Sequence, residues 1–185
     1  MGQYTSAILI TLAVIVLLVS LILLGWRNRL RRQSEVPAPS PVPLDESGAP
    51  VLGAPLGEPC EGVYVCTTTA GDWLDRIAAH RLGIRTNAEL SIHAAGVLVG
   101  RHGAPDLFIP AEDLTGVSRS SGMAGKFVEK DGLLVIGWML GDQAVDTGFR
   151  PRYHQELPEL TARIAALAGT GTNDTQPPAE TKENQ

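Results

Sequence analysis

The chain has 185 residues, with 15 Lys and Arg against 20 Asp and Glu, a formal net charge of −5. Between Glu61 and Ala168 ten basic side chains meet thirteen acidic ones. A nucleic-acid surface needs a clear basic excess, so DNA and RNA are not expected partners.

The first element is YTSAILITLAVIVLLVSLILLGW, Tyr4 to Trp26, without a charge. At about 1.5 Å per residue such a helix reaches roughly 35 Å, enough for a hydrocarbon core of about 30 Å. Tyr4 and Trp26 stand at its ends, where aromatic rings favour the membrane interface. The preceding MGQ has no basic side chain and no small-x-small cleavage site follows, so a retained anchor is expected rather than a signal peptide. Arg27, Arg29, Arg31 and Arg32 follow directly. Basic flanks stay cytoplasmic, which predicts a single-pass plasma-membrane protein with residues 1–3 outside and everything after 27–32 inside. The same arginines can attract anionic head groups.

Residues 33–59 contain seven prolines and few large apolar residues, the composition of a disordered spacer with polyproline II character. The tail, residues 169–185, is polar and also expected to be disordered. One domain, residues 60–168, remains. Cys60 and Cys66 sit on or beside one predicted strand, which would hold their Cα atoms about 20 Å apart, too far for a disulfide.

Within the domain, GVYVCTTT (Gly62 to Thr69) reads as a strand. DWLDRIAAHRL (Asp72 to Leu82) changes to helical spacing behind a capping Asp, so a short helix is expected. Strands follow at Leu90 to His93, Val97 to Arg101, Asp106 to Ile109 and Leu114 to Arg119, with a turn at Ala95-Gly96. His93 alternates with apolar neighbours, which predicts a place facing solvent or on the sheet's polar face. Leu133 to Leu140 and Gln143 to Phe149 flank Gly141-Asp142, a hairpin with Gly first, with Leu134, Ile136, Trp138 and Leu140 on one face. Leu157, Leu160, Ile164 and Leu167 make an apolar stripe on a final helix, and Pro158 fits only in its first turn. The fold class is therefore α+β, an antiparallel barrel or sandwich closed by a C-terminal amphipathic helix.

The stretches AGDWLDRIAAHRLGIRTNAELSI, DLFIPAEDLTGV, GMAGKFVEKDGLLVIGW and DTGFRP, behind an anchor and a proline-rich segment, resemble the small actinobacterial membrane proteins with a bacterial PH-like (pleckstrin-homology-like) domain. The resemblance implies a PH-like fold, a membrane location and an interaction role. It carries over no catalytic or binding residue.

Motifs for chemistry are sparse. GMAGKF, Gly122 to Phe127, lacks the spacing and the hydroxyl of a phosphate-binding loop and reads as a loop between strands. His80, His93, His102 and His154 have no zinc spacing, and no nucleophile elbow is present. No catalytic residue, metal or cofactor is expected. Arg101, Arg119, Lys126 and Lys130, in or beside loops, are the candidate contacts for a protein partner or an anionic lipid. The leading expectation is a non-catalytic module at the inner leaflet. The alternatives are an accessory subunit of a membrane transport complex and an enzyme of unfamiliar type on a small barrel.

Overall fold

The computed structural model describes residues 10–23, 36–46, 48, 50–127, 129 and 131–171. The chain divides into two units, Met1–Val36 and Pro37–Gln185. In the first, residues 10–23 form an α-helix, α1, whose Ile, Leu and Val side chains are all exposed. Among the described residues no helix is long and apolar enough to cross a membrane. The predicted span extends beyond α1 on both sides. Residues 4–9 and 24–26 lie outside the described residues, as do Arg27, Arg29, Arg31, Arg32 and residues 172–185 of the tail.

The second unit holds nine strands among the described residues: β1 (Cys60–Thr69), β2 (Thr86–His93), β3 (Gly96–Arg101), β4 (Leu107–Pro110), β5 (Leu114–Ser120), β6 (Gly122–Met123), β7 (Lys126–Phe127), β8 (Leu133–Leu140) and β9 (Gln143–Pro151). The helix α2 (Leu157–Gly171) ends it. Seven strands form one antiparallel sheet in the order β4-β3-β2-β1-β9-β8-β5, and β6 and β7 form a separate ribbon. The two edge strands, β4 and β5, are consecutive in the chain, and α2 packs on β5 and on the short turn Ala111–Asp113 that joins them.

The expected patterning holds where period and burial agree. Leu134, Ile136, Trp138 and Leu140 are buried on the inner face of β8 with Val145 and Phe149 of β9. Gly141 takes φ +59° between them, the conformation a glycine-first hairpin turn needs. Leu157, Leu160 and Ile164 of α2 are buried and Leu167 is half-buried, while Pro158 sits in the first turn. Both cysteines lie on β1, buried and free.

Three expectations change. Residues 72–82 do not form a helix. Asp72 does cap, accepting the N–H groups of Leu74 and Asp75 at 3.1 and 3.3 Å. The chain then turns back along β1 instead: Ile77 N–H donates to Thr67 O and Thr67 N–H to Leu82 O. These bonds satisfy backbone groups that a helix would pair internally. His80 and Arg81 stand at φ +51° and +60°, outside helical space. What remains there is a single tight turn at Ala79–Arg81, closed by Leu82 N–H donating to Ala79 O.

The proline-rich segment is not all spacer. Its second half folds with the domain: Leu56 N–H donates to Ile92 O, Pro55 bridges His93, and Leu52 is buried. His93, expected to face solvent or the polar face, is buried beneath this segment, with Nδ1 3.0 Å from Gly53 O. One buried leucine and main-chain pairing suffice to order a stretch whose composition lacks a core of its own.

The third change concerns β8. The first half of its outer face is also covered, at Leu133 and Val135. A bulge in β1 between Tyr64 and Cys66, opposite β9, leaves Tyr64 and Thr67 on the inner side and sends Val65 and Cys66 outward. There they join Leu133, Val135 and Met123 in a second small cluster. Met123 comes from the β6–β7 ribbon, so GMAGKF is a hairpin folded over the sheet, turning at Ala124 and Gly125 with φ +52° and +75°.

Candidate functional site

Of the candidate cations, Arg101 and Arg119 lie apart, on β3 and β5. Arg101 ends β3 and is 5% exposed. Its Nε donates to Pro105 O at 2.7 Å, its Nη1 to Arg81 O at 3.0 Å, and its guanidinium lies over the Tyr64 ring. Burial holds its pKa below the ordinary guanidinium value, against an opposing pull from Tyr64. Its donors tie the β1–β2 loop to the β3–β4 loop, so it is a structural arginine rather than a surface contact. Arg119 is exposed on β5, and its Nε donates to Thr161 Oγ1 of α2. Lys126 belongs to the β7 strand of the hairpin, and Lys130 lies outside the described residues.

Charged side chains do converge on the outer face of β1, β2 and β9. A half-open groove of about 490 Å³ is lined there by Glu61, Val63, Asn87, Glu89, His102 and Arg150, with Arg152 at its side. Antiparallel register creates this grouping, because Glu61 pairs with Glu89 and Val63 with both Asn87 and Arg150. Gly62 and Ala88, opposite one another, contribute backbone to the groove floor, and a side chain on Gly62 would meet the buried Phe149 ring on the other face.

Each groove arginine has a carboxylate. Arg152 Nη1 donates to Glu61 Oε2 at 2.7 Å, and this hydrogen bond, more than any other influence, raises the Arg152 pKa. Arg150 Nη2 lies 3.2 Å from Glu129 Oε1 in the connection after the hairpin. Solvent screens such exposed pairs, so a ligand carboxylate or phosphate can take the place of Glu61 or Glu129 at small cost. The groove thus offers two guanidinium forks, an imidazole, an amide and two carboxylates on a shallow wall, a mixed-charge surface suited to polar recognition. Among the described residues no group of three or more His, Cys, Asp or Glu is arranged to hold a metal.

The groove residues were missed in the sequence because Glu61, Glu89 and Arg150 lie far apart along the chain. Alternation marks each as outward-facing, but only strand pairing puts them side by side.

Behind the groove, β1 is fixed by a buried chain of hydroxyls. Trp138 Nε1–H donates to Thr147 Oγ1 at 2.8 Å, Thr147 Oγ1 lies 2.8 Å from Thr67 Oγ1, and Thr67 Oγ1 lies 2.8 Å from the Tyr64 hydroxyl. Tyr64 donates to Leu82 O at 2.6 Å. A carbonyl only accepts, so the direction is set: Trp138 to Thr147 to Thr67 to Tyr64 to Leu82, each group using its proton once.

No curated protein matches the sequence. The family model described as "Bacterial PH domain-like" matches residues 42–165. Its start at residue 42 agrees with the structure in counting the end of the proline-rich segment as domain. The chain belongs to the bacterial PH domain-like family.

Proposed function

We propose that this is a membrane-anchored, non-catalytic interaction module of the actinobacterial single-pass type, its PH-like domain facing the cytoplasm and binding a protein partner near the inner leaflet. The observation that carries the interaction reading is the open, mixed-charge groove of Glu61, Glu89, His102, Arg150 and Arg152 on a rigid sheet. Its paired guanidiniums favour a protein surface with both signs of charge over a purely anionic lipid group. The anchor reading is supported by the uncharged run Tyr4 to Trp26, by the exposed apolar side chains of α1 and by the four arginines that follow.

Photo-crosslinking in cells tests the site. A crosslinking residue at Glu89 is expected to trap a discrete protein adduct, and the same residue at exposed Asp142 is not. Equal adducts, or none at Glu89, would count against the groove. Orientation is read with Thr172→Cys and an impermeant maleimide. The native cysteines are buried and can stay. Labelling is expected only after lysis, and labelling of intact cells would reverse the topology.

A further inference from the structure

β1 pairs with β2 only as far as Cys60↔Leu90, yet β2 runs on to His93. The side of Ile92 and His93 that faces β1's position would be an open strand edge. Residues 50–56 fill it. Leu56 N–H donates to Ile92 O at 2.7 Å, and Pro55 forms an antiparallel bridge with His93. The His93 Nδ1–H must be the donor to Gly53 O, since a carbonyl only accepts, so Nε2, 3.0 Å from Ser91 Oγ, takes that hydroxyl's proton in the neutral ring. Leu52 is the anchor, 4% exposed, while Val51 and Leu56 beside it are exposed at 56% and 49%.

This is how a bound peptide sits on a sheet edge: main-chain bonds for affinity and one side chain in a pocket for specificity. It is also a light attachment. One buried aliphatic side chain and a few hydrogen bonds mark a segment from the low-stability end of a fold. Gly53 and Gly57 at φ +76° and +113° give it two pivots.

We propose that the Ile92–His93 edge and the Leu52 pocket are a docking site for an extended peptide of a partner protein, occupied in this state by residues 50–56 as a built-in competitor. The ligand chemistry follows from the strap. It needs an aliphatic residue in the pocket, a glycine next to it with its carbonyl toward His93, and a free main-chain N–H four residues after the aliphatic one. A proline is accepted before that N–H, because Pro55 contributes none. A partner segment of this kind displaces the strap and binds in its place. The inference rests on the interaction-module reading and adds a second, regulated contact to the groove.

The test uses the purified full-length chain in detergent micelles and a fluorescent peptide of residues 48–58. Leu52→Asp releases the strap by placing a carboxylate where a buried aliphatic side chain stands, and Leu52→Ala removes the anchor without adding charge, both leaving His93 in place. Near-ultraviolet circular dichroism reports whether each variant is folded. The peptide is expected to bind the released variants at least about tenfold more tightly than wild type, where the filled site lowers apparent affinity in proportion to its open fraction. The same peptide carrying Leu52→Asp is expected not to bind. Equal binding to wild type and folded variants, or no binding to any, overturns the proposal. So does loss of the fold in both variants, because a segment the domain cannot shed is no switch. Failure of the module reading looks different: no partner is trapped at Glu89, while the peptide still binds.

Discussion

The guanidinium of Arg101 lies over the ring of Tyr64, 4.8 Å from its centroid, and joins β3 to the centre of β1. Tyr64 in turn ends the hydroxyl chain that reaches Trp138. Two residues that alternation alone would place on unrelated strands therefore hold one side of the domain together.

Arg101→Met keeps the stem and removes the donors to Pro105 O and Arg81 O. It is expected to cost about 1–3 kcal/mol, from lost hydrogen bonds and the lost cation–ring contact. Urea unfolding measures it. An unchanged midpoint would return Arg101 to the list of candidate ligand contacts.

Thr147→Val interrupts the hydroxyl chain at its middle. The indole N–H of Trp138 loses its acceptor in a buried site, for an expected loss of about 1–3 kcal/mol. Thr67→Val removes the neighbouring link, so the double variant is expected to lose less than the sum of the two. Strict additivity in a double-mutant cycle would show that the hydroxyls act separately.

The β6–β7 hairpin covers Cys66. Met123→Ala removes the side chain it buries against the sheet, at an expected cost of about 2–4 kcal/mol. Cys66 is then expected to react faster with a small thiol reagent, while Cys60, beside Glu156, keeps its slow rate. Equal rates for Cys66 in variant and wild type would mean that the hairpin is not its cover.

Alkaline pH weakens the fold through three groups on β1, Cys60, Tyr64 and Cys66, each raised first of all by burial. Burial, then the hydrogen bond and charge of Glu156, pushes the Cys60 thiol up to about 12, and burial pushes the Tyr64 phenol up to about 12. Ordinary values are near 9.0 and 10.0. Between about pH 9 and 12 the unfolded chain has released these protons and the folded chain has not, so stability falls as pH rises through that window. Denaturant unfolding at stepped pH checks the slope. Tyr64→Phe is expected to flatten it, and an unchanged slope would assign the loss to other groups.

Periodicity was a good guide where a segment's burial is decided by its own neighbours. The β8–β9 hairpin, the α2 stripe and the strands from Leu90 to Arg119 were legible for that reason. It misled at residues 72–82, where Ile77 and Leu82 are indeed buried but their backbone is bonded to β1, and Trp73 and Leu74 are exposed. The groove was invisible for a related reason: its charges gather by cross-strand register, which leaves no local trace.

The linear chain alone determined the uncharged N-terminal run, the arginines after it, the absence of a basic excess, and an antiparallel α+β domain ending in an amphipathic helix. These depend on composition and on the turn-by-turn or strand-by-strand burial of side chains. Only the tertiary structure decided that Arg101 is buried, that the hairpin at Met123 covers Leu133 and Val135 on the outer face of β8, and that a proline-rich strap with a buried Leu52 pairs with β2. Each of these joins segments distant in the chain, and a bond between such segments is chosen by the surface the rest of the fold has already built.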